Sequence, residues 1–115
     1  MNKIILFAFL IISGSVYSQE KQKKKVETKI HVKGVCEMCK ERIEEAAYIK
    51  GVKYAEWDKE KKELMIVYSP QKTDLKKIQK SIAEAGHATK DVPADKEAYK
   101  KLPDCCKYAD GVETH

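Results

Sequence analysis

Between Val26 and Val92 the spacing of apolar residues switches from two to three or four and back, and this ordered change restricts the fold more than any other feature of the chain. Val26, Thr28, Ile30 and Val32 alternate with Glu27, Lys29, His31 and Lys33, as in a strand with one buried face. Cys39, Ile43, Ala46 and Ala47 then share one helical face, Glu41, Arg42, Glu44 and Glu45 take the other, and Gly51 marks a stop. Ala55 and Trp57 alternate with Glu56 and Asp58, a lysine-rich turn runs from Asp58 to Lys62, and Leu64, Ile66 and Tyr68 resume the alternation. These two runs predict a hairpin. After Ser69 and Pro70, Thr73 or Asp74 is expected to cap a helix whose Leu75, Ile78, Ile82 and Ala85 face one way, ending at Gly86. A short fourth strand is expected from His87 to Val92, giving the order βαββαβ.

That order predicts an α+β, ferredoxin-like sandwich in which two helices cover one face of an antiparallel sheet. Four segments are expected: a signal peptide over 1–18, a lysine-rich linker over 19–25, the folded domain over 26–92 and a tail over 93–115. The N-terminal expectation rests on Met1-Asn2-Lys3, the apolar run Ile4 to Ile12 and the small or polar residues Ser13 to Ser18, the three-part layout of a secretory signal. The run has 9 residues, too few to cross a bilayer as a helix. A periplasmic or secreted protein with no membrane span after cleavage is therefore expected.

The net charge of +5 is spread through lysine-rich turns, and no nucleic-acid-binding motif accompanies it. No hydrolytic or phosphate-transfer constellation competes either, since the chain has no phosphate-cradling glycine loop, no HExxH and no Ser-His-Asp set, and no enzyme is expected. The chemistry is concentrated in Cys36-Glu37-Met38-Cys39, placed where a loop meets the first helix. Two intervening residues let one thiol sit on the loop and the other on the first helical turn, so both sulfurs can face one ion. Thiolates are soft ligands that suit Cu(I), and Zn(II), Cd(II) and Hg(II) also accept sulfur. The free amides of the helix N-terminus, with Lys40 and Arg42 as electrostatic support, are expected to favour the thiolate forms. This loop is expected outside the core, open for transfer of the ion.

Beyond the two cysteines, Ile43-Glu44 after the second thiol, Gly51-Val52 before the second strand, the hairpin charges and Ala85-Gly86 complete a pattern that resembles the heavy-metal-associated domain family of copper chaperones and periplasmic mercury-binding proteins. The resemblance covers Val26 to about Val92. It implies binding and handover of a soft ion, with a metal-transporting ATPase or another metal-binding protein as partner. One departure stands out. The family usually places Gly, Met and one further residue before the first cysteine, whereas here only Val35 separates Gly34 from Cys36, and Val35 is expected to take over part of the methionine's packing.

Two further groups are candidates for the same site. His87 follows Gly86 where the family's last loop nears the metal loop, and is a possible further ligand or tuning residue. Cys105 and Cys106 form an adjacent pair that the Pro103-Asp104 turn could swing towards a soft ion, or that could form a disulfide. Ahead of them Asp95 to Leu102 is expected to form a short helix exposing Tyr99 and Leu102, in an otherwise loose tail. A competing chemistry is thiol-disulfide exchange, because CxxC at a helix start is also a redox arrangement.

Overall fold

A computed structural model describes residues 24–110, so the expected signal peptide and most of the linker lie outside the described residues. Strands β1 (Val26–His31), β2 (Val52–Asp58) and β3 (Glu63–Tyr68) form one antiparallel sheet in the order β1-β3-β2. Ile30 and Trp57 both pair with Leu64, and Thr28 and Ala55 both pair with Ile66, which sets the apolar residues of all three strands on one face. Helices α1 (Glu37–Ala47) and α2 (Leu75–Glu84) cover that face. Cys39, Ile43 and Ala47 from α1, and Ile78 and Ile82 from α2, are buried there with Ile30, Val32, Ala55, Trp57, Leu64 and Ile66. Asp74 caps α2 by accepting from the Lys77 amide at 2.9 Å. Gly86 follows α2 with φ of 104°, a conformation that disfavours any side chain. The architecture is the expected ferredoxin-like sandwich.

The fourth strand is a correction. Instead of pairing over 87–92, the chain makes a single bridge between Val32 and Thr89, with the Lys33 amide donating to the Ala88 carbonyl at 2.9 Å. The cause is Gln79, a buried polar side chain on α2. Its Oε1 accepts from the Asp91 amide and the Thr89 hydroxyl, both at 2.8 Å, and its Nε2 donates to Asp91 at 3.1 Å. These bonds curl Thr89 to Val92 into a turn, closed by the Thr89 amide on the Val92 carbonyl at 2.9 Å. A curled segment cannot present a ladder of amides to β1.

The tail is a second correction. Its short helix forms, as α3 (Lys96–Lys100) capped by Asp95, but it does not expose Leu102. Leu102 is buried in the domain core, and Tyr99 and Tyr108 pack against that core. Tyr108 fastens the far end: its hydroxyl donates to the Gly86 carbonyl at 2.8 Å and accepts from the Ala88 amide at 3.1 Å. Among the described residues no helix is long and apolar enough to cross a membrane.

Candidate metal centre

The loop that precedes α1 is shaped by Trp57. Its indole Nε1 donates to the Val32 carbonyl at 3.0 Å, which swings the ring under the loop. A Cβ on Gly34 would lie 3.0 Å from two ring atoms and 3.1 Å from Cys39 Cβ, so any larger residue there would press the indole or Cys39 aside by a few tenths of an ångström. Val35 is buried in the core cluster, in keeping with the packing expected of it in the shortened loop. Cys36 is then the N-cap residue of α1, with extended backbone, and its carbonyl accepts the first helical bond from the Lys40 amide at 3.0 Å.

Four sulfurs gather at this point. Cys36 Sγ lies 3.3 Å from Cys39 Sγ and 3.1 Å from Cys106 Sγ, and the three sulfurs fall within 4.8 Å of one another. Cys105 Sγ stands at the edge, 3.7 Å from Cys36 and 4.0 Å from Cys106. The adjacent pair reaches the loop through a 3-10 turn, Asp104–Cys106, in which the Cys106 amide donates to the Pro103 carbonyl at 2.8 Å. All four thiols are free. Contrary to expectation, the thiols belong to the core: Cys36 is 2% exposed, and Cys39 and Cys106 are 0% exposed. The docked tail is what closes the site.

Burial raises the cost of ionising Cys36, Cys39 and Cys106, but unequally. At Cys36 it is outweighed by sulfur hydrogen bonds from Cys106 and Cys39 and by the Cys39 amide, which hold the thiol down to about 7. Cys39 is pushed up by burial and by giving its proton towards Cys36. Cys106 is pushed far up for the same two reasons, burial first, then its hydrogen bonds to Cys39 and Cys36. One thiol is thus poised to ionise near neutrality while two others donate to it.

The expected electrostatic helpers point elsewhere. The Lys40 ammonium pairs with Glu44 and donates to the Trp57 carbonyl at 3.2 Å, while Glu44 also accepts from the Trp57 amide at 2.8 Å. Lys40 therefore ties α1 to β2. Arg42 lies beside Ala85, and its charge is felt at His87. His87 itself is fully buried and outside the sulfur cluster. Its Nδ1–H donates to the Lys33 carbonyl at 2.8 Å, its ring stacks on Tyr108 with centroids 5.5 Å apart, and Nε2 has no partner. Burial holds His87 below the usual imidazole range, so the ring is neutral and serves as a packing post for the tail. His31 is exposed, as its strand position predicts.

The heavy-metal-associated domain family matches residues 29–88. This chain belongs to that family. Solved structures with the same fold include the CopZ metallochaperone, at 24% identity and a TM-score of 0.53 over 56% of this chain and 98% of that one. Oxidized MerP from Ralstonia metallidurans CH34 is similar at 22% identity and a TM-score of 0.54, over 57% of this chain and 94% of that one. The water-soluble region of the P-type ATPase CopA from Bacillus subtilis is similar at 26% identity and a TM-score of 0.54, over 58% of this chain and 46% of that one. No curated protein sequence matches the chain. The family match ends at residue 88, before Cys105 and Cys106, so half of the sulfur cluster comes from outside it.

Proposed function

We propose that the protein is an exported soft-metal-ion binding protein, a Cu(I) carrier or scavenger that holds its cargo on Cys36 and Cys39 and passes it to a metal-transporting ATPase or another metal-binding protein. The observation that carries this reading is the convergence of buried sulfurs at the start of α1 in a heavy-metal-associated domain. Sulfur-only surroundings favour a soft monovalent ion over a hard one, and the N-terminal amides of α1 offset part of the negative charge of thiolates. Zn(II), Cd(II) and Hg(II) are the competing cargoes. Export to the periplasm or beyond is supported by the layout of Met1 to Ser18. The rival redox reading draws on the Cys36 thiol held at about 7, a hallmark of reactive CxxC pairs. It is disfavoured by the fold, because the element order is that of a heavy-metal-associated domain and not of a thioredoxin.

Native mass spectrometry of the reduced chain against Cu(I), Zn(II) and Hg(II), followed by competition with a Cu(I) chelator, tests the reading. One Cu(I) should survive competition, and the double substitution Cys36→Ser/Cys39→Ser should release it. Unchanged affinity in that variant moves the primary site elsewhere. Turnover of a disulfide substrate with no retained metal favours the redox reading.

A further inference from the structure

Resting on that metal-binding reading, we infer that the C-terminal tail is part of the metal site: Cys106 is a resident third ligand beside Cys36 and Cys39, and Cys105 is the sulfur through which the ion enters and leaves. The tail residues that deliver these sulfurs are anchored on both sides. Leu102 is buried before the pair, and Tyr108 is bonded to Gly86 and Ala88 after it. The position of Cys106 is therefore set by the fold rather than by a chance approach.

Sulfur spacing favours three ligands over two. With metal–thiolate bonds of about 2.3 Å, two sulfurs on opposite sides of an ion lie roughly 4.6 Å apart, whereas three around it lie roughly 4 Å apart. The Cys36–Cys39 and Cys36–Cys106 distances are 3.3 and 3.1 Å. A trigonal site needs these two separations to open by less than about 1 Å, with the third sulfur pair already within 4.8 Å, while a linear site on Cys36 and Cys39 needs a larger opening and leaves Cys106 buried against the ion without bonding it. A buried small thiol can be simple core filling. Core filling does not explain why the third sulfur packs against the other two, when the same volume could be filled by any apolar group.

Cys105 differs from its neighbour in exposure and in partners. It is half-buried, 3.7 Å from Cys36 Sγ on one side and 3.7 Å from Met38 Sδ on the other, and Met38 is 47% exposed. Sulfur thus continues from the buried cluster to the surface. In the exchange step a Cys105–metal bond forms as the Cys106–metal bond breaks, Cys105 gives its proton to solvent, and Cys106 takes one up. The ion keeps its charge and no electron moves.

X-ray absorption at the copper edge, on the reduced full chain with one equivalent of Cu(I), counts the sulfurs. Three are expected in the wild type and two in Cys106→Ser. Loss of outer partners of metal ligands already costs 10–100-fold, so removing Cys106 should weaken Cu(I) binding by at least about tenfold. Cys105→Ser should keep three sulfurs and the same affinity, yet transfer Cu(I) to a competing chelator more slowly. A wild type with two sulfurs and unaltered affinity in Cys106→Ser overturns the inference while leaving the metal-binding reading intact. A wild type that holds no Cu(I) sinks both. Should Cys106→Ser fail to fold, the wild-type count still decides. Loss of a sulfur in Cys105→Ser, or its unchanged transfer rate, overturns the role given to Cys105.

Discussion

The sandwich from Val26 to Glu84 and the described tail, Pro93 to Asp110, are both folded, but they are held in different ways. In the sandwich every strand and both long helices contribute buried side chains to one continuous core, from Ile30 alone in β1 to three residues in α1, so removing one is felt by all. The tail is held at a few points: Leu102, Cys106 and the Tyr108 hydroxyl. Regions attached by few buried contacts open at lower free energy than the global transition. Two of the four clustered cysteines therefore ride on the stable part of the molecule and two on the part that opens first.

The sharpest way to break that comparison is to cut one apolar anchor from each region. Ile43→Ala should cost the sandwich about 2–5 kcal/mol and lower the midpoint of global denaturation. Leu102→Ala should leave the midpoint of the sandwich nearly in place while amides of Tyr99 and Lys107 exchange much faster. Hydrogen exchange and denaturant titration on the two variants check this, and equal global destabilisation would show that the tail is part of the same cooperative unit.

A smaller effect is expected from Tyr108→Phe. It removes one hydroxyl that bridges Gly86 and Ala88, each by a hydrogen bond worth about 1 kcal/mol net. The ring packing on His87 and Tyr99 would remain. Faster exchange of the Ala88 amide with an unshifted sandwich midpoint is the expected signature. Without it, the hydroxyl is not what latches the tail.

The gentlest effect accumulates with pH. Burial depresses the folded-state pKa of His87, so the unfolded chain takes up a proton that the folded chain refuses. Stability from this group is fully present above the unfolded value, near 6.5, and is lost as pH falls through that value towards the depressed folded one. Denaturation of the reduced protein at pH 7 and pH 5 should show the loss, and His87→Gln should flatten it. An equal slope in the variant would assign the pH dependence to other groups.

The first three strands, both long helices, the hairpin turn and a cap at Thr73 or Asp74, which proved to be Asp74, were legible because each is written locally, in periodicity and turn chemistry. The loss of the fourth strand was not. It depends on Gln79, a polar residue on the buried face of α2, and periodicity has no means of marking a polar side chain whose partners lie ten or more residues away. The closeness of Cys36 and Cys39 follows from their spacing, but the approach of Cys106 is a contact across 70 residues. Only a weak signal announced it: Leu102, Cys106 and Tyr108 are apolar or aromatic in a polar stretch, four and two residues apart. The Lys40–Glu44 pair was readable from its spacing of four along the helix, and reading it would have removed Lys40 from the thiols in advance.

Trp57 is the chain's one tryptophan, and its ring converges with Cys39 Cβ on the same point beside Gly34. The residue is 1% exposed, so solvent contributes almost nothing to changes in its emission. The surroundings that can change beside it are the thiols of the loop. An ion taken up on Cys36 and Cys39 is therefore expected to alter the indole emission, and its removal to restore it. Titration of the reduced chain with Cu(I), followed by tryptophan fluorescence, would read the loading of the site without a dye.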